Sequence, residues 1–273
     1  MKLSFSTLAC PEWSMPQIIA IASSAGYDGI ELRFVENEDS FWKLPAFRGP
    51  QLASTKRALS DHGLTISCVD TSCRFHSPDA QERARWLDEG ERMVDLAASL
   101  NAPGIRVFGE KVQAGADRAS TRGWIADSIR TLGERVAASG IEVWLETHGD
   151  FASAAETAEI LAESRSLKVG AVWDPANCFV ESGERPQEGA SSLGPRIRHV
   201  HVKDLRQNSE GWKPALTGDG NFPLPELRSA LCLLDYHHFS SFEWEKKWHP
   251  EIADANIALP HFTRWFRENW NHE

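Results

Sequence analysis

The 273-residue sequence has few cysteines, and their arrangement excludes two common uses of that residue. There are five, an odd number, widely spaced and without a C-x-x-C pair: Cys10, Cys68, Cys73, Cys178 and Cys232. Such spacing fits neither the disulfide framework of a small secreted domain nor a cysteine-ligated zinc site. We therefore expect buried or partly buried free thiols.

Long apolar runs and blocks of like charge are also missing. No run approaches the roughly 18 residues that span a bilayer, and the N-terminal apolar stretch is interrupted at Pro11 before a signal-peptide core develops. These absences predict a cytoplasmic protein with no membrane partner. The formal net charge of −10 opposes nucleic-acid binding, because such affinity depends largely on clustered Lys and Arg.

Short β-rich runs alternate with amphipathic helical patterns along the whole chain, which is typical of βα units around a parallel sheet. The eight predicted strands are Leu3–Thr7, Gly29–Phe34, Leu64–Asp70, Gly104–Phe108, Glu142–Thr147, Val169–Asp174, Ile197–Val202 and Phe239–Glu243. Residues 1–273 are thus predicted to form a single (β/α)8 barrel, an α/β fold that needs about 250 residues. A doubly wound sheet is the alternative, but no Gly-rich phosphate fingerprint follows the first strand.

The segments that leave the predicted strands are longer and more polar than those that enter them. The long ones are Val35–Pro50, Thr71–Asp79, Pro175–Gly194 and Lys203–Pro225, all interpreted as loops. In a (β/α)8 barrel the loops after the strands form the catalytic face. We therefore expect the functional residues at that end of the barrel.

Four side chains that could bind a metal lie at the ends of four successive predicted strands: Glu146, Asp174, His201 and Glu243. Side chains alternate faces along a strand, so residues at matched heights on neighbouring strands can converge above the barrel axis. A set dominated by oxygen donors favours Mn²⁺ or Mg²⁺, although Co²⁺ or Zn²⁺ also suits it. The pattern predicts one divalent ion at the mouth of the barrel.

Six motifs occur in an order and spacing that resemble the xylose isomerase-like TIM barrels (AP endonuclease family 2), which include sugar phosphate isomerases and epimerases. They are AGYDGIELR (25–33), LETHG (145–149), WDPAN (173–177), HVHVKD (199–204), GDGNFP (218–223) and FEWEKKWHPE (242–251). The resemblance extends over essentially the whole chain. It implies that the Glu, Asp, His, Glu quartet binds one metal ion and that Glu146 and Glu243 also move substrate protons.

Two ligand choices stay open at this stage. His199 shares a strand face with His201, and Glu245 shares one with Glu243. His201 is preferred because it is nearer the C-terminal end of its strand. Glu243 is preferred because it stands where the family's strand would place the ligand.

Five further residues are predicted to contact the substrate. His148 follows Glu146 by two residues, Asn177 follows Asp174 by three, and Lys203 shares the face of His201. His76 lies in a loop that is expected to face the mouth. Trp13 belongs to a group of tryptophans near the predicted catalytic loops, in a chain with eleven, and flat aromatic faces pack well on the C–H faces of sugars.

These features predict a metal-dependent isomerase or epimerase of a small sugar, sugar phosphate or related polyol ketone, in which the metal stabilises an enediolate and two glutamates act as acid and base. The closest alternative is a dehydratase of an inosose-like substrate on the same site. A non-catalytic sugar-binding barrel is a third hypothesis. A DNA endonuclease of this family would need several more histidines and a less acidic surface. A homo-oligomer is compatible with the sequence.

Overall fold

The computed structural model describes residues 1–270, in which ten strands occur. They are β1 (Lys2–Ser6), β2 (Gly29–Leu32), β3 (Thr65–Arg74), β4 (Gly104–Phe108), β5 (Glu142–Glu146), β6 (Val169–Trp173), β7 (Ile197–Val202), β8 (Asp204–Asn208), β9 (Gly211–Ala215) and β10 (Phe239–Phe242). Eight of them close into a barrel in the order β1-β10-β7-β6-β5-β4-β3-β2. The remaining two, β8 and β9, form an antiparallel hairpin.

Helices connect the strands of the barrel. They are α1 (Met15–Ala25), α2 (Gly49–Asp61), α3 (Ala80–Ser99), α4 (Arg118–Arg135), α5 (Ala154–Ser164), α6 (Pro175–Ser182), α7 (Pro186–Leu193), α8 (Leu224–Leu233) and α9 (Ala255–Trp270). None of these helices within residues 1–270 has the length and apolar character needed to cross a bilayer. Strands and helices alternate as the sequence predicted, so the (β/α)8 fold is confirmed.

All eight predicted barrel strands are present, with ends that differ by a few residues, but all four predicted loops contain regular structure. Thr71–Asp79 begins with the end of β3, and Val35–Pro50 contains two single-turn 3-10 helices and the start of α2. Lys203–Pro225 contains the hairpin of β8 and β9, and Pro175–Gly194 contains α6 and α7. The hairpin is exposed around its turn, at residues 206–211, and its sequence lacks the apolar alternation that marks a half-buried strand. A proline, such as Pro214 in β9, also disfavours the prediction of a strand from sequence, although an edge strand of a two-stranded sheet tolerates it.

The chain groups into two compact halves. The first half comprises residues 1–67 and the chain from His201 onward, and the second half comprises residues 68–200. In the first half, Phe242 of β10 stacks on Phe262 of α9 at 4.4 Å between ring centroids. Because neighbours along a strand point to opposite faces, Ser241 and Glu243 then face the barrel interior.

The interior of the second half is packed around Trp144 of β5, which is in register with Arg106 of β4. Its ring forms a buried cluster with Cys68 and Val172 and stacks against His199, with 6.1 Å between ring centroids. Gly104 lies directly beneath this ring, and a Cβ added there would overlap the indole. The Trp144 ring therefore fills part of the interior of the second half.

We expect Gly104→Ala to lower the free energy of unfolding by about 1–3 kcal/mol, because the added methyl group must displace the buried Trp144 ring. Gly123→Ala is the matched control. Gly123 lies in α4, has no neighbouring atom in the way of a Cβ, and should gain roughly 0.5–1 kcal/mol from helix propensity. Urea unfolding of both variants measures the difference. Equal stabilities would contradict the packing described for Trp144.

Candidate metal centre

In the second half, Glu146 at the end of β5 contacts a buried arginine. Arg106 Nε lies 3.1 Å from Glu146 Oε2, and Arg106 Nη2 lies 3.1 Å from Asp70 Oδ2. All three side chains are at most 2% exposed. Strand register explains the contact, because Asp70, Arg106 and Glu146 lie on the adjacent strands β3, β4 and β5. The arginine thus forms a buried ion pair with one oxygen of the Glu146 carboxylate.

Asp174, directly after β6, has two functions in the local structure. Its Oδ1 accepts a hydrogen bond from the backbone N–H of Asn177 at 2.9 Å and so caps the N-terminus of α6. Its own N–H donates to Thr147 Oγ1 at 2.8 Å. The Asn177 side-chain amide donates to the Thr147 carbonyl at 3.2 Å. These bonds hold the fully buried Asp174 in place at the end of its strand.

In the first half, His201 of β7 lies between two carboxylates. Its Nε2 is 2.8 Å from Glu31 Oε1, and its Nδ1 is 3.6 Å from Glu243 Oε1. Glu31 and His201 are fully buried, and Glu243 is 8% exposed. The ring therefore presents each nitrogen to a different carboxylate.

Lys203 follows His201 by two residues on the same face of the chain. Its ammonium lies 2.7 Å from Glu243 Oε2 and 2.7 Å from Glu245 Oε1. Glu245 in turn lies 3.6 Å from His249 Nε2. Lys203 is buried, and its ammonium forms salt bridges with both glutamates.

Each half of the chain holds two of the four predicted ligands, and all four side chains are buried: Glu146 and Asp174 in the second half, His201 and Glu243 in the first. These candidate ligands are called the four-residue group. His199 is not in this group among residues 1–270; it joins Glu31 and His201 in a second group of three. Glu245 belongs to neither group. The choice of His201 and Glu243 as ligands stays a prediction.

The donor set fits a divalent cation. Three carboxylates and one imidazole are the oxygen-rich ligands that Mn²⁺ and Mg²⁺ prefer, and Co²⁺ or Zn²⁺ also binds such sets. Among the contacts described above, buried carboxylates outnumber the cations Arg106 and Lys203. Clustered buried carboxylates repel one another unless a cation or a proton compensates their charge.

Two predicted substrate residues of the second half, His148 and His76, lie near one acidic side chain, Glu110. His148 Nδ1 is 3.8 Å from Glu110 Oε1, and the His148 ring lies 4.7 Å from that of Phe108. Burial lowers the pKa of His76, while the charge of Glu110 acts in the opposite direction. Sequence reasoning did not single out Glu110, because nothing in the local pattern distinguishes it from a surface charge.

Trp13, the remaining predicted substrate residue, lines a cavity of about 430 Å³ in the first half. Glu12, Lys246 and Lys247 are among the other lining residues. The Lys246 ammonium contacts the carbonyls of Pro250 and Ile252 and the Asp254 carboxylate. All lining residues lie in segments that follow β1, β2 or β10, which in a barrel belong to the catalytic face.

A family model described as "Xylose isomerase-like TIM barrel" matches residues 19–267. The chain belongs to this family. Its solved relatives by structure include the probable 3-DHS dehydratase AsbF of Bacillus anthracis, with 21% identity, coverage of 99% of this chain and 100% of that one, and a TM-score of 0.81. The TM-score establishes a shared fold, and at this level of identity the likeness shows the fold alone.

Two further solved structures are similar to this xylose isomerase-like barrel. One is a D-psicose 3-epimerase determined in the presence of D-fructose, with 16% identity, full coverage of both chains and a TM-score of 0.81. The other is the IolI protein with a bound zinc atom, with 17% identity, coverage of 97% of this chain and 96% of that one, and a TM-score of 0.80. No curated protein sequence matches the chain at a significant level.

Proposed function

We propose that this chain is a divalent-metal-dependent isomerase or epimerase of a small sugar, sugar phosphate or related polyol ketone. The observation that carries the proposal is the buried group of Glu146, Asp174, His201 and Glu243 at the ends of β5, β6, β7 and β10. The chain's likeness to a D-psicose 3-epimerase and to the IolI protein with a bound zinc atom supports the proposal. The metal-binding role of the four residues and the acid and base roles of the two glutamates are parts of the proposal.

The four residues would hold one divalent ion, which when bound would polarise a carbonyl oxygen of the substrate as a Lewis acid. A proton on the carbon next to a polarised carbonyl is acidic enough for a carboxylate to remove. The four residues follow the neighbouring strands β10, β7, β6 and β5, and Glu243 and Glu146 belong to the two outer strands of this series. One glutamate would remove the proton from one face of the carbon, and the other would return a proton to the opposite face, which inverts that carbon.

The cations beside the two glutamates would position them for this task. Arg106 holds Oε2 of Glu146, and Lys203 holds Oε2 of Glu243. Each contact orients one oxygen of its carboxylate, which limits rotation of the other oxygen. Lys203 would also offer N–H donors to a hydroxyl or carbonyl oxygen of the substrate. His148, His76, Asn177 and Trp13 would complete the substrate pocket.

A dehydratase is the second candidate function, and the position of His148 favours it. His148 lies two residues after Glu146, and its Nδ1 is 3.8 Å from the Glu110 carboxylate. An imidazole N–H in this position would donate a proton to a departing β-hydroxyl, which leaves as water after Glu146 removes the C–H proton. The similarity to a probable dehydratase supports this alternative.

A turnover screen tests the proposal. The metal-loaded and the chelator-treated protein would each be incubated with ketoses, their phosphates and inososes, and ¹H NMR would identify epimers, isomers or dehydration products. We expect one of these products, formed only by the metal-loaded protein. Sugar binding without turnover in the metal-loaded protein would instead favour a non-catalytic sugar-binding barrel.

A further inference from the structure

The two ring nitrogens of His201 face different surroundings. Nδ1 lies on the side of Glu243, a member of the four-residue group, at 3.6 Å from Oε1. Nε2 lies 2.8 Å from Oε1 of Glu31, which is outside that group. Both partners of this shorter contact are fully buried. The contact therefore determines which edge of the imidazole is turned toward the four-residue group.

Imidazole can donate a lone pair only from a nitrogen that carries no proton. A carboxylate at hydrogen-bond distance from Nε2 accepts a proton carried there, which leaves the lone pair of a neutral ring on Nδ1. In metal sites, a carboxylate that accepts from the second nitrogen of a histidine ligand fixes the tautomer and the orientation of the ring. The Glu31–His201 contact has the geometry of such a pair.

The backbone around Glu31 is held firmly enough for this role. Ser6 of β1 is in register with Glu31 of β2. Hydrogen bonds secure both ends of the short strand β2: Asp28 Oδ2 accepts from the N–H of Leu3, and Thr7 Oγ1 accepts from the N–H of Arg33, each at 2.8 Å. Glu31 thus approaches His201 from a strand anchored at both ends.

We propose that Glu31 is a positioning residue of the metal centre, which acts through His201 by holding the proton on Nε2 and directing the Nδ1 lone pair into the four-residue group. The inference rests on the proposed function, because it presupposes a divalent ion at that group. It adds a residue that neither binds the ion nor touches the substrate.

A second ion is the competing explanation, because Glu31, His199 and His201 also form a group of three ligand-type side chains. Two ions that shared His201 would have to bind both ring nitrogens, so the ring would have to lose both of its protons. The 2.8 Å contact between Nε2 and Glu31 instead has the length of a direct hydrogen bond. The number of ions bound per chain separates the two explanations.

Calorimetric titration of metal-free protein with Mn²⁺ tests the proposal in wild type, Glu31→Ala, Glu31→Gln and Ser6→Ala. We expect one ion per chain in all four, with an affinity about 10- to 100-fold lower in Glu31→Ala. Glu31→Gln, whose amide oxygen can still accept from Nε2, should lose less and also serves if the alanine variant folds poorly. Ser6→Ala removes a polar atom from the neighbouring strand at the same register and should bind as wild type does.

The proton on Nε2 gives a readout that a purely structural role would not change. In the protein loaded with diamagnetic Zn²⁺, ¹⁵N-edited NMR should detect a His201 Nε2–H that is protected from exchange in wild type and lost in Glu31→Ala. Wild-type affinity in folded Glu31→Ala and Glu31→Gln would overturn the proposal, as would two ions in wild type and one in Glu31→Ala. A wild-type protein that binds no ion would instead overturn the proposed function itself, and the role of Glu31 with it.

Discussion

Glu146→Gln and Glu243→Gln should each lower kcat by about 10²-fold or more, the scale expected when a positioned acid or base is removed. Glutamine keeps the shape of the side chain and one oxygen, but it cannot accept the substrate proton. Steady-state kinetics on the substrate found by the screen measure the effect. The two losses should not add in the double variant, because both residues also belong to the proposed ligand set.

Glu245→Gln is the matched control for Glu243→Gln. Both glutamates contact the Lys203 ammonium at 2.7 Å, but Glu245 lies outside the four-residue group. The control variant should therefore lose far less kcat than Glu243→Gln. If Glu245→Gln had the larger effect, the ligand and base at this strand would have to be reassigned.

Asp174→Ala or His201→Ala should abolish binding of the single divalent ion while the barrel stays folded. A four-ligand set that loses one member loses most of its affinity, because the remaining groups no longer complete the coordination sphere. Metal content after dialysis, measured by inductively coupled plasma mass spectrometry, reports the loss. Circular dichroism of the same samples reports the fold.

The dual role of Asp174 makes Asp174→Asn the sharper test. Asparagine is as good an N-cap as aspartate, so it preserves the bond to the Asn177 N–H that begins α6 but removes the charge. His199→Gln is the control for His201, because His199 lies outside the four-residue group. We expect Asp174→Asn to bind the ion poorly and His199→Gln to keep it. Stoichiometric metal in Asp174→Asn and His201→Ala would refute the quartet.

The strands and the four candidate ligands could be predicted from the sequence because both depend on local pattern. Alternation and spacing locate a barrel strand, and a residue at the end of such a strand has its place in the mouth set by the topology. Asp174, for example, directly follows β6 and caps α6, so its place between a strand and a helix is set by the local sequence.

Contacts that depend on register between strands could not be predicted in the same way. Arg106 lies between Asp70 and Glu146 because β3, β4 and β5 pair with a particular offset, and β3 shifts register after Asp70. Glu31 contacts His201, which is 170 residues away along the chain, so no local pattern could pair them. A charged residue inside an apolar strand such as GIRVF is the signal that could have pointed to Arg106.

Turnover in D₂O tests the central claim most directly. If Glu146 and Glu243 exchange protons with the substrate, the product should carry deuterium on the carbon next to the carbonyl, because a carboxylic acid exchanges its proton with solvent quickly. One of the two Gln variants should still exchange deuterium into the substrate without forming epimer, because only one glutamate then remains to exchange a proton with one face of the carbon. Mass spectrometry and ¹H NMR of product and recovered substrate detect the label. Normal turnover of the wild-type protein with no solvent deuterium on that carbon would contradict the two-glutamate mechanism, even if the metal quartet proved correct.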